Sequence, residues 1–263
     1  MKKPSLGVQL YTLRDYCKNP ADFKETIEFI KSLDCDLVQV SGVGSEEPIP
    51  AAFQKDVFEA TGVECCLTHT PLNRIVEETD AVIAEHKLIG CRCIGLGWIG
   101  EEYRGTTENM DKFIACLTPA LEKIKANGMV FNYHNHDFEF QPLDNGMLLF
   151  DYMIENTDPE VFHFTPDVGW IDFAGCDPVA YLKKLAGRVD VCHFKDYKII
   201  DGERKFVTLG EGEVDLKACY DACAELEVPY IVYEQDCDWV DDDAKLATKL
   251  SVAFMKQLAQ ETV

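Results

Sequence analysis

Short β-rich runs alternate with longer helical patterns eight times along the chain, and this alternation limits the fold more than any other feature of the sequence. The strand candidates cover about residues 6–13, 35–42, 63–70, 91–98, 129–136, 161–168, 189–195 and 230–236. The helix candidates that follow them cover about residues 20–33, 50–61, 73–89, 109–127, 147–156, 177–187, 215–227 and 242–260. Such alternation is typical of a parallel sheet, and eight repeats predict an α/β fold closed into a (β/α)8 barrel.

Local signals within the repeats agree with this prediction. Apolar residues recur every three or four positions in the first and last helix candidates, as on the buried face of an amphipathic helix. Glycine follows three helix candidates and stands just before a strand: Gly62, Gly90 and Gly128. A doubly wound open sheet is the alternative, but residues 12–15 after the first strand lack its Gly-rich phosphate-binding loop. The chain has the usual size of one barrel and no visible linker, so we predict a single domain over residues 1–263.

The composition limits the classes of molecule that the protein is expected to bind. The formal net charge is −22, and such a surface repels phosphate backbones and anionic membranes. No apolar run approaches the roughly 20 residues of a membrane helix, and the basic residues 1–5 are not followed by the apolar run of a signal peptide. The twelve cysteines show no CxxC spacing, so we interpret them as buried thiols in a reducing compartment. We therefore expect a cytoplasmic protein with a small-molecule partner, and a homo-oligomer is left open.

Polar residues cluster where the predicted strands end, which is where (β/α)8 barrels place their chemistry. Four of the six histidines lie at such positions: His69, His134, His136 and His193. A single histidine at a strand end is more often structural than a ligand, so the cluster carries more weight than any member. We interpret His86 and His163, which lie elsewhere, as structural residues.

Glu234 is the hardest of these residues to explain without a ligand. It follows the apolar residues 230–233, and a buried carboxylate is costly unless a cation or hydrogen-bond donors compensate it. A divalent ion held by four strands around one axis would provide that compensation. The ligands that we predict are His134, Asp167, His193 and Glu234. This mixed nitrogen and oxygen set suits Mn²⁺, Zn²⁺, Co²⁺ or Fe²⁺ better than Ca²⁺.

The ordered set of motifs resembles the xylose-isomerase-like TIM barrel superfamily, a group of sugar phosphate isomerases and epimerases that also includes relatives of inosose dehydratases and of endonuclease IV. The matching stretches are residues 7–12, 133–140, 167–170, 193–196, 209–215 and 233–234. As a set they are specific for the superfamily but not for a substrate. The resemblance implies one divalent metal ion, often manganese, with ligands from the fifth to the eighth strand. Asp167, His193 and Glu234 match the last three ligand positions.

Two positions depart from the epimerase pattern. His134 stands where those epimerases usually carry a Glu, so their proton transfer between two carboxylates does not carry over directly. This motif is closer to that of relatives of inosose dehydratases and keto-sugar lyases. Glu139 is an alternative ligand from the same motif, ranked below His134. Trp170 stands where many epimerases carry a His, and we expect its ring to stack on the apolar face of a sugar.

The remaining candidates concern the substrate. We predict Glu234, His136 or His134 as the base that removes a proton α to a carbonyl. Substrate contacts are expected from further strand-end and loop residues: Gln9, His69, Trp98, Trp170, Lys195 and Glu211. Four basic residues gather after the seventh strand: Lys195, Lys198, Arg204 and Lys205. They either meet an anionic substrate group or are ordinary solvated loop charges.

These observations predict a metal-dependent isomerase or epimerase that moves a proton α to the carbonyl of a sugar or sugar phosphate through an enediolate. The alternative is a metal-dependent lyase or dehydratase that acts on a keto-sugar or keto-inositol and shares the first step. The acidic composition argues against an endonuclease-IV-like function. The intact ligand positions argue against a non-catalytic sugar-binding barrel.

Overall fold

Eight parallel strands form the central sheet of the computed structural model, which describes residues 3–261. They are β1 (Ser5–Gln9), β2 (Leu37–Val40), β3 (Glu64–His69), β4 (Cys93–Leu96), β5 (Val130–His134), β6 (Phe162–Thr165), β7 (Val191–Phe194) and β10 (Tyr230–Tyr233). Strands β8 (Asp196–Ile200) and β9 (Glu203–Val207) form a separate two-stranded sheet. The strand order in the central sheet is β6-β5-β4-β3-β2-β1-β10-β7. Isolated parallel bridges between Phe164 and Val189 and between Asp167 and His193 join the two edge strands. The sheet therefore closes almost completely, and the predicted (β/α)8 TIM barrel is confirmed.

Helices connect the strands and cover the outside of the barrel. They are α1 (Pro20–Ser32), α2 (Ala51–Thr61), α3 (Leu72–Glu77), α4 (Thr79–Ile89), α5 (Thr107–Ala126), α6 (Leu149–Asn156), α7 (Val168–Phe173), α8 (Pro178–Lys184), α9 (Leu216–Glu225) and α10 (Ala244–Glu261). None of the helices within residues 3–261 is long and apolar enough to cross a membrane. The predicted domain limits include residues 1, 2, 262 and 263, which lie outside the described part of the chain.

Two predicted elements differ from the structure. The first strand ends at Gln9 and not near residue 13, because the Gln9 side chain accepts a hydrogen bond from Tyr11 N (3.2 Å) and begins a 3-10 helix over Leu10–Tyr16. The single helix predicted over 73–89 is two helices, α3 and α4, separated by the non-helical Glu78. Thr79 Oγ1 donates to the carbonyl of Ile75 at this break (2.7 Å), as Thr side chains do where helices bend.

The segment after β7, which the sequence pattern predicts as a loop, forms a hairpin. Strands β8 (Asp196–Ile200) and β9 (Glu203–Val207) pair in antiparallel register through the turn residues Asp201 and Gly202. Both turn residues have positive φ, at 53° and 81°, as in the tight turns that match the twist of a hairpin. Side chains alternate along the strands, so Arg204 and Phe206 share one face of this hairpin and Lys198 and Lys205 share the other.

Several structural interpretations of single residues agree with the fold. All twelve cysteines lie within residues 3–261 as free thiols, and nine of them are buried. The ring of His86 is bonded within the fold, with Nε2 2.8 Å from Thr68 Oγ1 and Nδ1 2.7 Å from the carbonyl of Val82. His163 Nδ1 contacts Asp190 Oδ2 at 2.6 Å. The cytoplasmic location and a homo-oligomer stay predictions, since neither follows from this fold.

The Asp196 carboxylate links two of the motifs noted in the sequence. Its Oδ1 accepts hydrogen bonds from the backbone N–H groups of Tyr197 (3.0 Å) and Val214 (3.2 Å). Its Oδ2 accepts from the N–H groups of Gly210 (3.0 Å) and Gly212 (2.9 Å). The side chain is buried, so this one carboxylate holds the loop that follows the hairpin against the end of β7.

We expect Asp196→Asn to lower the free energy of unfolding by on the order of 3 kcal/mol, because the new amide places an N–H₂ group against two backbone donors. Denaturant unfolding followed by circular dichroism measures the change. Asp215→Asn is the matched control, since the exposed Asp215 Oδ1 accepts from the single N–H of Ala218 at the start of α9. Equal losses in the two variants would contradict the assigned role of Asp196.

Candidate metal centre and cavity

Inward-facing side chains of the barrel change from apolar to polar along the strands. A buried apolar cluster formed by strand residues includes Leu37, Val191 and Val232. Every second residue of a barrel strand points to the same side. Two positions later, the same strands therefore direct Gln39, His193 and Glu234 inward, and all three are buried. The polar layer lies at the C-terminal ends of the strands, above the apolar layer.

Four buried side chains converge in this layer: His134, Asp167, His193 and Glu234. One possible ligand atom from each lies within 4.8 Å of all the others. His193 Nδ1 is 2.9 Å from Glu234 Oε2. His134 Nε2 is 3.4 Å from Asp167 Oδ2 and 3.5 Å from Glu234 Oε2. The fold thus brings together the four residues that the sequence suggested as ligands, and we call them the quartet.

Hydrogen bonds on the far side of each histidine fix which ring nitrogen faces the quartet. Gln39 Oε1 lies 2.6 Å from His193 Nε2, and because an amide oxygen can only accept, Nε2 carries the proton. The carbonyl of Gly97, 3.2 Å from His134 Nδ1, has the same effect on that ring. In their neutral forms, His193 Nδ1 and His134 Nε2 therefore direct lone pairs towards the carboxylates.

Lone pairs that face carboxylates repel them unless a cation lies between. Burial lowers the pKa of His193, which keeps that ring neutral. Burial also acts to lower the pKa of His134, but the Asp167 and Glu234 carboxylates outweigh it and raise the pKa, so this position attracts positive charge. Two imidazole nitrogens and two carboxylates, each histidine oriented by an outer hydrogen bond, are a donor set that divalent transition metals bind. The quartet therefore fits a divalent cation.

Lys195 places a permanent charge beside the quartet. Its buried ammonium lies 2.7 Å from Asp236 Oδ2, 3.3 Å from Asp167 Oδ2 and 3.4 Å from Glu234 Oε2. Burial raises the pKa of Glu234, but the Lys195 ammonium and the neighbouring histidines outweigh it and hold the pKa well below its usual value. The three carboxylates with one ammonium leave two formal negative charges, which a divalent cation would balance.

Asp167 is oriented by the turn that follows β6. Its backbone N–H donates to Asn135 Oδ1 (3.0 Å). Its Oδ1 accepts from the backbone N–H of Trp170 (3.0 Å) and caps the N-terminus of α7. With Oδ1 engaged in this cap, Oδ2 faces His134 and Lys195.

Glu139, the alternative ligand of the same motif, is directed away from the quartet. Tyr133 Oη donates to its Oε1 (2.6 Å), and the backbone N–H of His136 donates to its Oε2 (2.7 Å). The side chain is fully buried, and burial raises the pKa of its carboxyl to about 7. Glu139 therefore braces the backbone between His134 and His136.

A cavity of about 740 Å³ opens above the quartet. Its lining includes Tyr11, Ser41, His69, Trp98, Glu102, His134, His136, Trp170, Arg204, Phe206, Glu234 and Asp236. Burial, together with the neighbouring His134, lowers the pKa of His136 to about 2, so its ring is neutral. His136 Nδ1 is buried and has no hydrogen-bond partner among residues 3–261. It is available to a ligand in the cavity.

The predicted substrate residues divide into two groups. His69, Trp98 and Trp170 line the cavity, and Trp98 is 54% exposed at its mouth. The other three do not belong to its lining: Gln9, Lys195 and Glu211. Gln9 is buried below the cavity in β1, Lys195 is enclosed by carboxylates, and the Glu211 side chain is exposed to solvent. A substrate contact by any of these residues stays a prediction.

Two residues of the site were missing from the predicted set. Gln39 was visible as a polar residue in an apolar strand, but its bonds to His193 Nε2 and, through Nε2, to His69 Nε2 (2.8 Å) cross the barrel and cannot be seen in a sequence. Asp236 was visible as a carboxylate just after the eighth strand, and it lines the cavity with Lys195 as its partner. For Gln39 the available signal was a polar side chain two residues after the buried Leu37, and for Asp236 it was a second carboxylate two residues after Glu234.

A family model and a curated protein are similar to parts of this chain. A family model described as "Xylose isomerase-like TIM barrel" matches residues 55–258. Among curated proteins, an inosose dehydratase from Clostridium tetani (strain Massachusetts / E88) is 29% identical over 90 residues. This match covers 28% of the present chain and 30% of that protein, so it spans less than a third of the relative.

Two solved structures extend the comparison over the whole fold. A sugar phosphate isomerase/epimerase from Parabacteroides distasonis ATCC 8503 is similar with a TM-score of 0.83 at 18% identity, over 97% of this chain and 94% of that one. A structure described as the IOLI protein with a bound zinc atom is similar with a TM-score of 0.75 at 13% identity, over 98% and 99% of the two chains. At these identities the similarity establishes the shared fold.

The buried Glu139 carboxyl predicts a pH-dependent stability. Its pKa is raised from 4.5 to about 7 by burial, so the folded protein binds this proton more tightly than the unfolded chain. The resulting stabilisation is fully present below about pH 4.5 and is lost as the pH rises through about 7. Glu139→Gln stays neutral and can bond the same partners.

We therefore expect the free energy of unfolding of the wild type, minus that of Glu139→Gln, to fall by on the order of 3 kcal/mol between pH 4.5 and pH 8. Denaturant unfolding of both proteins across this range measures the difference. Parallel curves would mean that burial does not raise the pKa of Glu139 in the folded protein.

Proposed function

Because the chain belongs to the xylose isomerase-like TIM barrel family, we propose that it is a divalent-metal-dependent isomerase or epimerase of a small polyhydroxylated carbonyl compound, a sugar or sugar phosphate. The observation that carries this proposal is the buried quartet, in which two histidine lone pairs face two carboxylates. His134 Nε2, Asp167 Oδ2, His193 Nδ1 and Glu234 Oε2 would hold the ion. A divalent ion bound there would polarise a carbonyl and its adjacent hydroxyl as a Lewis acid.

The identity of the ion is part of the proposal. Mn²⁺ is our first choice, and Zn²⁺, Co²⁺ and Fe²⁺ are compatible with the same mixed nitrogen and oxygen donors. The zinc atom in the similar IOLI structure supports a metal site in this fold without identifying the ion used here.

Glu234 is the base that we propose for the proton α to the carbonyl. It lines the cavity, and its hydrogen bond and ion pairs within the site are made through Oε2. The second oxygen, Oε1, can then accept a proton from a substrate above the quartet. The Lys195 ammonium keeps the carboxylate ionised at neutral pH, since it holds the pKa of Glu234 low against the effect of burial.

His136 has a different role in this scheme. With its pKa lowered to about 2, the ring is a weak base but a good neutral hydrogen-bond partner. Its unpartnered Nδ1 lies in the cavity wall, where it would bind a substrate hydroxyl. His134 is committed to the quartet through Nε2. We therefore rank Glu234 above both histidines as the base.

A lyase or dehydratase is the second candidate. The partial match to an inosose dehydratase and the histidine at position 134, where the epimerases of the resemblance carry a Glu, favour it. Proton removal by Glu234 would be common to both reactions. The outcome depends on whether the proton returns to carbon or a β-hydroxyl leaves.

We expect gently purified wild-type protein to contain about one equivalent of a divalent metal ion, because the quartet provides four ligand atoms. His134→Ala should lose most of it, and Glu139→Gln, which changes a buried residue of the same motif outside the quartet, should retain it. Inductively coupled plasma mass spectrometry measures the content. A wild type that neither contains metal nor takes up Mn²⁺ or Zn²⁺ tightly on titration would overturn the proposed function.

Exchange of the α-proton tests the base. After incubation in D₂O with saturating Mn²⁺ and removal of the metal ion, we expect proton NMR to show loss of the signal from the proton α to the carbonyl for one member of a keto-sugar and keto-inositol panel. Glu234→Gln should slow this exchange by about a hundredfold or more, whereas Glu102→Gln, a cavity carboxylate outside the quartet, should leave it nearly unchanged.

The products of the same experiment separate the two candidates. An epimer or isomer supports the first proposal, and a dehydrated product supports the second. Exchange at the wild-type rate in Glu234→Gln, with metal still bound, would exclude Glu234 as the base.

A further inference from the structure

Arg204 is unusual among the six arginines of the chain. Five of them bond to carbonyl, hydroxyl or carboxylate oxygens: Arg14, Arg74, Arg92, Arg104 and Arg188. The Arg204 guanidinium has no hydrogen bond or ion pair with any residue in the part of the chain that the structure describes, although the chain has 47 acidic residues. A half-buried guanidinium with five donors and no acceptor is available to a ligand.

Aromatic rings hold this guanidinium in the cavity wall. Its Cζ lies 4.0 Å from the ring centroid of Trp170, 4.6 Å from that of Phe173 and 4.7 Å from that of Phe206. Arg204, Trp170 and Phe206 all line the cavity. Contacts with ring faces fix the position of a guanidinium and leave its N–H groups free to bond an oxyanion.

The neighbouring groups of this wall also lack partners. Trp170 is more than nine-tenths buried, and its Nε1 has no hydrogen-bond acceptor among residues 3–261. The ring of His136, with its unpartnered Nδ1, lies 5.4 Å from the Trp170 ring. The wall thus carries three adjacent groups whose hydrogen bonds are not made within the described protein, which is typical of a ligand-binding surface.

Hydrogen bonds within the protein anchor the hairpin that carries Arg204. The backbone N–H of Phe206 donates to Asp238 Oδ2 (3.3 Å), and Tyr197 Oη donates to Asp172 Oδ2 (2.7 Å). The nearby carboxylates are engaged elsewhere: Asp236 bonds to Lys195, and Asp238 bonds to the hairpin backbone. Arg204 is therefore held at a fixed place with its charge uncompensated.

We propose that Arg204 forms an anion subsite and that the natural substrate carries a phosphate or carboxylate group in addition to its carbonyl. The rings of Trp170 and Phe206, which contact Arg204, also lie near Lys195. The Lys195 ammonium is 5.0 Å from the ring centroid of Trp170 and 5.2 Å from that of Phe206. The subsite therefore lies on the wall next to the quartet. The proposal rests on the proposed function for the reacting end of the substrate, whereas anion recognition itself can be tested by binding alone.

Binding of three probes that differ in charge tests this subsite. D-fructose is neutral, D-fructose 6-phosphate carries a phosphate, and 5-keto-D-gluconate carries a carboxylate. Isothermal titration calorimetry on the Mn²⁺-supplemented wild type should give a dissociation constant about tenfold or more lower for at least one anionic probe than for D-fructose. The probe that gains affinity identifies which anion the subsite accepts.

Arg204→Met should abolish this preference, because Met keeps the apolar contact with the rings and removes the charge. Lys198→Met is the matched control, since it removes one positive charge from the opposite face of the same hairpin, and it should keep the preference. Arg204→Lys should recover part of it. Circular dichroism and metal content of each variant verify the fold and the quartet.

Three results would overturn the proposal: equal wild-type affinity for neutral and anionic probes, no binding of either anionic probe, or a preference that survives in Arg204→Met. A preference that is lost equally in Lys198→Met would also overturn it, because the effect would then come from net charge. A protein that prefers anions but binds no metal would support the subsite while the proposed function fails, so the two failures are distinguishable.

Discussion

The barrel closes at the seam between β6 and β7, and the candidate metal centre depends on that closure. These two strands share only isolated bridges within the described residues, and one of the bridges joins Asp167 to His193. The backbone N–H of His193 donates to the carbonyl of Pro166 across the seam (2.9 Å). Two members of the quartet thus lie on opposite sides of the least-paired junction in the barrel. A cation bound by both Asp167 and His193 would link the two sides of this junction, so metal binding and barrel closure would stabilise each other.

The charge balance of the site follows from its burial. Three carboxylates and one ammonium lie together with little solvent to screen them, and such groups are stable only when every charge has a partner. Lys195 bonds to Asp236 through Oδ2 and partly compensates Asp167 and Glu234. The histidine protons are directed outward to Gln39 and Gly97, which leaves the centre of the quartet rich in lone pairs. The negative potential that would attract a cation therefore depends on groups outside the quartet as well as on the ligands.

The sequence predicted the architecture because both signals that it needed are local. Period-two and period-3.6 patterns, with glycine at the helix ends, are properties of neighbouring residues, and they gave the eight strands. The quartet could also be predicted from the sequence, because a polar residue directly after a buried strand is unusual in itself. The hairpin over 196–207 was missed although its Asp201-Gly202 turn was present, because its strands interrupt the expected strand-to-helix repeat.

Roles that depend on tertiary contacts could not be read from the sequence. The motif around Glu211 predicts a substrate contact, which stays a prediction. The sequence did not show that the N–H groups of Gly210 and Gly212 bond to Asp196 or that the Glu211 side chain is exposed to solvent. Arg204 and Lys195 looked alike as loop cations. In the fold, three carboxylates enclose Lys195, whereas the Arg204 guanidinium bonds to no carboxylate within residues 3–261. Only the arrangement of the strands distinguishes the two side chains.

Trp170 connects the two halves of the site through a single turn of chain. Its backbone N–H holds Oδ1 of Asp167, which leaves Oδ2 for the quartet, while its ring supports the Arg204 guanidinium. The distance between the reacting centre and the anion subsite is thus set by the three-residue span from Asp167 to Trp170, within a capped helix start. Gly169 makes this turn possible, because a side chain there would place its Cβ 2.6 Å from the carbonyl oxygen of Lys195. In the proposed scheme, a rigid separation of this kind would select substrates by length, since one molecule would have to span from its carbonyl at the quartet to its anion at Arg204.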